Sequence, residues 1–206
     1  MDLKENNIVH KDNTVRTLWI DMDGVLSIYD RKAYPQIESD ERPYNPYVQP
    51  ALFETPGQRY FKTCDADSKM IQVLIWLLNN SDFAHIEQIY IVSAVSVAAP
   101  IYIEHVEDKL YWLRENLNIK NDKARTCKFV PTTKPKYIVA RELLGRDLTH
   151  QDILIDDFNK NLEAWDQNGG RAIKYGNSIN DHTSFRGLTI PPETSSLEIL
   201  KFLKLL

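Results

Sequence analysis

The sequence predicts an α/β fold, an open parallel sheet with helices on both faces. Three observations carry that reading. Short apolar runs, several of them nearly continuous as in strands buried on both faces, alternate with longer segments whose apolar residues recur at helical spacing. That alternation implies right-handed crossovers and a doubly wound sheet. The polar residues that break the apolar runs are mostly acidic and fall at the runs' carboxyl ends, where such sheets gather ligands.

Taken in order, the first run is Arg16–Asp21 (RTLWID). A helix over Asp67–Leu78 follows, with Met70, Ile71, Leu74, Leu77 and Leu78 on one face. The second run, Gln88–Ser93 (QIYIVS), precedes a helix over Ile103–Leu117 that carries Val106, Leu110, Leu113 and Leu117. The third, Cys127–Pro131 (CKFVP), precedes Pro135, which suits the first turn of a helix reaching Leu144. The fourth, Asp152–Asp156 (DILID), leads into a short helix over Asn161–Asn168 that closes on Gly169-Gly170. The fifth is Arg171–Lys174 (RAIK), and the tail SLEILKFLKLL has the spacing of a core-packed terminal helix.

A chain of 206 residues can bury one substantial core, and a single domain over 1–206 is expected. Its 43% hydrophobic and 26% charged content is that of an ordinary globular protein. A net charge of −4 gives no basic footprint for polymeric nucleic acid. Cys64 and Cys127 form no Cys-x-x-Cys or Cys/His cluster and read as two reduced thiols, with one disulfide as the alternative. The first residues are polar, and the longest apolar run, 73–78, is far short of a bilayer span. A cytoplasmic protein that does not engage a membrane is expected, as a monomer or homodimer.

The stretch from about 27 to 66 departs from the pattern. It is rich in Pro and Tyr and sustains neither period. An insertion of this length in a compact domain usually has a role. It reads as a small, irregular cap folded over the strand ends, or else as a loop lying on the surface.

The first run ends in Asp21-Met22-Asp23-Gly24, two carboxylates one residue apart and then a turn glycine. Asp-Gly alone is a common turn dipeptide. The Asp156-Asp157 pair alone is an ordinary acidic start to a helix. Together, on different strand ends, they suit a hard divalent cation, which takes oxygen ligands. Ser93 ends its run with no activating base in reach; His85 and His105 complete no Ser/His/Asp pattern, so a hydrogen-bonding role fits it better than a nucleophilic one. Lys134 stands just before a helix, and Lys136 is its rival two residues on.

In order, these are Asp-x-Asp-Gly, strand-Ser, Lys before a helix and strand-Asp-Asp. The chain from about Arg16 to Lys174 thereby resembles the haloacid-dehalogenase-like superfamily, whose fold is a three-layer, Rossmann-like parallel sheet. The resemblance implies that Asp21 attacks phosphorus to form an aspartyl-phosphate. It implies that Asp23 protonates the leaving oxygen and then activates water. Mg²⁺ would be held by the Asp21 carboxylate, the Asp23 carbonyl and Asp156, with Asp157 supporting from outside the ligand set. Ser93 and Lys134 would bind phosphoryl oxygens. An Asp at position 23 points to phosphatase or phosphotransferase chemistry, because the dehalogenase branch lacks that acid/base.

The segments HVEDKLYWLRENL, ILIDDFNKNLEAWDQNGGRAIKYGNSIN, FRGLTI and YFKTCDADSKMIQVL resemble, more narrowly, the bacterial and phage 5′-nucleotidases related to 5′(3′)-deoxyribonucleotidases. The loop PTTKP lacks the glycine of that group, which leaves Lys134 and Lys136 both open. The implied partner is a small phosphate ester, with a (deoxy)nucleoside monophosphate favoured over a sugar phosphate. A catalytically silent nucleotide-binding relative and a polynucleotide-end phosphatase are the other readings. Within the insertion Tyr44, Tyr47, Phe53, Tyr60 and Phe61 offer stacking surfaces for a base, and Arg59 a cation for a phosphate; their ordinary role is to pack the segment. Lys109 and Lys174 are lesser candidates for orienting the cleft.

Overall fold

A computed structural model describes residues 15–28, 56–57, 59–80, 83–117, 127–177 and 185–206. Its centre is a sheet of six parallel strands: β1 (Arg16–Asp21), β4 (Ile86–Ala94), β5 (Cys127–Thr132), β6 (Asp152–Asp156), β7 (Arg171–Tyr175) and β8 (Leu188–Ile190). Their order in space is β5-β4-β1-β6-β7-β8. From β1 the chain proceeds to one side through β4 and β5, then crosses to the other side at β6. The junction of β1 and β6 is therefore the topological switch point, and a crevice is expected beyond their carboxyl ends.

The strands are apolar on both faces because each face has its own core. Leu18 and Ile20 of β1 pack with α2 (Ser68–Asn79), α3 (Ile101–Leu117) and the terminal helix α6 (Ser196–Leu205). Trp19 points the other way, stacks on Tyr90 at 3.9 Å and meets Trp165 in the layer of α4 (Lys136–Leu144) and α5 (Asn159–Gln167). Period-two side-chain direction thus converts one run, RTLWID, into a strand shared by two cores.

The elements read from sequence are present with small shifts at their ends. β4 begins two residues before Gln88 and runs one past Ser93. Pro135 occupies the position before α4, in extended conformation, instead of lying inside its first turn. The helix after β6 starts at Asn159, two residues before its apolar spacing suggests. Asp156 explains this, because its Oδ1 accepts from the Phe158 N–H and turns the chain early. β8 went unanticipated, since three residues, two of them exposed, carry too little pattern. Cys64 and Cys127 are free thiols, and burial pushes Cys127 up to about 12.

Most of the insertion, 29–55 and 58, lies outside the described residues, and Tyr44, Tyr47 and Phe53 with it. Its two ends are described and meet. β2 (Ser27–Ile28) pairs antiparallel with β3 (Asp65–Ala66), just after the short helix α1 (Tyr60–Thr63). Asp67 then caps α2 by accepting from Lys69 N and Met70 N, and its other oxygen accepts from the Tyr175 hydroxyl at 2.7 Å.

At the amino end of the sheet, Asp152 ties the layers together. Its buried carboxylate accepts from the Thr17 hydroxyl (2.8 Å), Thr149 N (2.8 Å) and both Arg146 nitrogens (2.7 and 2.9 Å). Its carbonyl accepts from the Trp165 indole. Burial pushes the carboxyl up, but Arg146, Thr149 and Thr17 outweigh it and hold Asp152 below the usual carboxylate value. A depressed folded-state value means that the stabilisation is present above about pH 4 and is lost as pH falls through the folded value. Asp152→Asn is expected to cost about 2–3 kcal/mol in urea denaturation at pH 7. The gap from the wild type should narrow steadily below about pH 4.

Candidate active site

The turn after β1 is built around one carbonyl. Met22 O accepts from Leu26 N (2.9 Å) and Ser27 N (2.8 Å), while Gly24 N donates back to Ser27 O (2.8 Å). Gly24 sits at φ +83°, which favours glycine, and a Cβ there would land on the Asp157 carboxylate and 2.7 Å from Asn177 Nδ2. Asn177 Nδ2 donates to both Gly24 O (2.9 Å) and Asp157 Oδ2 (2.6 Å), joining the turn to the end of β6. The glycine is what lets the two strand ends approach.

Asp21 closes β1 and Asp156 closes β6, both buried. Lys136, from the first turn of α4 and itself buried, bridges them: its Nζ lies 2.7 Å from Asp21 Oδ1 and 2.6 Å from Asp156 Oδ2. Asp21 Oδ1 also accepts from Met22 N, and Asp156 Oδ2 from Asn161 Nδ2 (2.9 Å). Burial, with Asp156 next in weight, raises the Asp21 carboxyl well above the usual range; the Lys136 charge opposes that shift. For Lys136, burial opposes the charge, but the Asp156 and Asp21 carboxylates more than offset it and raise the ammonium group's value.

A second cluster adjoins the first. The Ser93 hydroxyl, at the end of β4 and fully buried, donates to Asp23 Oδ2 at 2.9 Å. Lys109 of α3 reaches the same Oδ2 and donates to Ser93 Oγ at 2.8 Å. The other oxygen of Asp23, Oδ1, is buried and has no hydrogen-bond partner among the described residues.

The structure thus brings Asp21, Asp23, Ser93, Asp156 and Asp157 to one end of the sheet. Lys134 is elsewhere: its ammonium group pairs with Glu142 at 2.7 and 2.9 Å, with more than half of its side chain exposed. Lys136 occupies the place among the carboxylates because α4 begins one residue after Pro135 and turns that side chain inward. Arg59, in left-handed conformation before α1, is held by buried Asp108 and lies 3.8 Å from Glu107. Tyr60 and Phe61 are buried in the core, which is their ordinary packing role. Lys174 donates to Asn159 Oδ1 at 2.7 Å. Sequence reasoning missed Asn161 and Asn177 and ranked Lys109 low. A signal for Lys109 was available, since it falls on the same helical face as His105 and Trp112.

Asp21, Asp156 and Asp157 each offer an oxygen, and these atoms lie within 4.8 Å of one another. Asp157, expected outside the ligand set, is the third member of this cluster. Four site carboxylates stand against the ammonium groups of Lys109 and Lys136. An all-oxygen donor set with surplus negative charge fits a hard divalent cation such as Mg²⁺.

No protein-family model and no curated protein matches the chain. Solved structures do, and they are hydrolases of the haloacid-dehalogenase superfamily. D,D-heptose 1,7-bisphosphate phosphatase from Burkholderia thailandensis is 12% identical with a TM-score of 0.56, over 91% of this chain and 98% of that one. The same enzyme from B. bronchiseptica, complexed with magnesium and phosphate, is 14% identical with a TM-score of 0.52, over 91% and 97%. A superfamily hydrolase from Ehrlichia chaffeensis is 15% identical with a TM-score of 0.51, over 92% and 97%. At these identities what is shared is the fold, a parallel α/β sheet of the same class.

Two stability measurements test this geometry. Gly24→Ala should lower unfolding free energy by about 2–4 kcal/mol, because it combines strained φ with a collision at Asp157. Mg²⁺ at about a hundredfold excess over Kd should raise the melting temperature by about 5 °C, and Asp156→Asn should abolish that rise.

Proposed function

We propose that this chain is a Mg²⁺-dependent phosphomonoesterase that works through an aspartyl-phosphate on Asp21. The observation that carries the reading is the pairing of two chemically distinct carboxylates at the switch point. Asp21 is buried against Lys136, while Asp23, two residues on, has one oxygen held by Ser93 and Lys109 and the other without a hydrogen-bond partner among the described residues. A nucleophile and a proton carrier need such different surroundings.

In the first step an Asp21 oxygen bonds to phosphorus as the ester P–O bond breaks, and Asp23 gives a proton to the departing alkoxide. In the second, water attacks phosphorus, Asp23 takes back a proton, and the P–O bond to Asp21 breaks to release phosphate. Lys136 orients Asp21 for the attack and favours its carboxylate form, stabilises that carboxylate again as it leaves phosphorus, and donates a hydrogen bond to a phosphoryl oxygen. The Ser93 hydroxyl, which donates to Asp23, orders the proton carrier. A bound Mg²⁺ would offset the like charges of Asp21, Asp156 and Asp157 and those of the phosphoryl group.

The favoured substrates are (deoxy)nucleoside monophosphates, a choice supported by the sequence likeness of the segments around α3, β6, α5 and β7 to 5′-nucleotidases. A sugar phosphate is the second reading, and the heptose bisphosphate phosphatases among the structural neighbours favour it. The insertion over 27–66 is proposed to act as the cap that selects between them.

Phosphate release from a panel of nucleoside monophosphates and sugar phosphates, with Mg²⁺ and with EDTA, decides between these readings. Mg²⁺-dependent release is expected, faster with nucleotides, and Asp21→Asn should lower it by about 10³-fold or further. Faster turnover of sugar phosphates would transfer the assignment to that class. Release from none of the panel would remove the phosphatase reading. In the same assay Lys136→Ala should lower kcat by at least about 10²-fold, whereas Lys134→Ala should stay within about twofold of the wild type.

A further inference from the structure

Lys109 is an expensive residue to place where it is. Its side chain is fully buried, on a face of α3 that also carries His105, Asp108 and Trp112. Removing an ammonium group from water costs several kcal/mol unless its partners compensate. The partners here are Asp23 Oδ2, Ser93 Oγ at 2.8 Å, and the face of Phe61, whose ring centre lies 3.8 Å from Nζ. These surround Nζ with a carboxylate, a hydroxyl and an aromatic face, a full set of acceptors for its three N–H bonds.

The support around it is equally specific. Asp108, the preceding residue, holds Arg59 at the return of the insertion. The Trp112 indole donates to Cys64 O at 2.6 Å, and His105 meets the Phe61 ring edge-on at 4.8 Å. α3 is thereby pinned to α1 on either side of Lys109, so the ammonium group has little freedom to follow Asp23 if that carboxylate rotates.

Two consequences follow for the neighbours. The Ser93 hydroxyl accepts from Lys109 and donates to Asp23, which orients its proton towards Oδ2. Asp23 is gripped along its Oδ2 edge only, which leaves Oδ1 as the oxygen without a partner among the described residues. A carboxylate that must give a proton to one atom and then take one from water at nearly the same place works best with one oxygen left unengaged and the other anchored.

We infer that Lys109 is a positioning residue for Asp23, anchoring Oδ2 so that Oδ1 alone handles the proton. This rests on the phosphomonoesterase reading above and adds to it a residue outside the four motifs. A positioning role of this kind makes a distinctive demand. Loss of the anchor should slow steps that need a well-placed proton on Asp23, and should spare a bond cleavage whose leaving group needs none.

The experiment compares wild type, Lys109→Met and Lys109→Arg, each checked for folding by circular dichroism, on two esters. One is p-nitrophenyl phosphate, whose leaving group departs without a proton; the other is a nucleoside monophosphate or sugar phosphate that the wild type turns over. On the second ester Lys109→Met should lower kcat by about 10²-fold with KM within about threefold. On p-nitrophenyl phosphate the rapid first-turnover release of nitrophenolate should stay within about fivefold of the wild type, followed by slow dephosphorylation. Lys109→Arg, which keeps the charge but alters its reach, should show the same pattern at smaller amplitude, and it carries the test if Lys109→Met does not fold. Equal loss of first-turnover rate on both esters, a change in KM alone, or wild-type kinetics in a folded variant would overturn the inference while leaving the phosphatase reading intact. A wild type that releases phosphate from no ester would overturn both.

Discussion

Two buried carboxylates at the ends of neighbouring strands repel each other, and the ammonium group of Lys136 holds Asp21 and Asp156 together across the switch point. Much of the site's layout depends on that bridge. It requires α4 to begin just after Pro135, so that its first side chain turns in under the strand ends. It also leaves the cluster with more negative than positive charge, since Asp157 adds a third oxygen beside the pair. Burial first, and the neighbouring carboxylates of Asp156, Asp23 and Asp157 after it, raise the Asp21 carboxyl against the opposing charge of Lys136. A site that is electrostatically unfavourable by itself but complete with a divalent cation is a familiar way of reserving binding energy for function.

β6 shows how the fold carries such a site. Its first residue, Asp152, has its carboxylate satisfied by Arg146, Thr149 and Thr17, and is held below the ordinary carboxyl range. Its last residue, Asp156, lies within a group of like charges. One five-residue strand thus has a stabilising carboxylate at its amino end and a cluster of like charges at its carboxyl end, separated by the wholly buried Ile153, Leu154 and Ile155. The two cores on either face of the sheet, one around Leu18 and Ile20 and the other around Trp19, hold β1 and β6 in register. Asp21 and Asp156 therefore meet without any loop having to place them.

Much of this was legible in the sequence. RTLWID and DILID are strands with the bounds their apolar runs suggest, and DMDG and Asp156-Asp157 are brought together as their positions at strand ends imply. What was not legible depended on contacts distant in sequence. Lys134 and Lys136 differ by two positions, and only the direction of the first turn of α4 separates a surface ion pair with Glu142 from a buried bridge. Asn177 acts through Gly24 and Asp157, 153 and 20 residues away. Arg59 looked like a ligand for phosphate, but a buried Asp108 on a later helix takes its charge. β8 is too short and too exposed to register as a period.

The central claim is that Asp21 becomes covalently phosphorylated. The most direct test quenches the protein in acid while it is incubated with a phosphate ester and treats it with borohydride, which reduces an aspartyl-phosphate to homoserine. The product is then read by mass spectrometry of the peptide containing residue 21. The account requires homoserine at position 21, at no other carboxylate, and only when substrate is present. An unmodified Asp21 in an enzyme that is turning over, or homoserine at Asp23 or Asp156 instead, would contradict it.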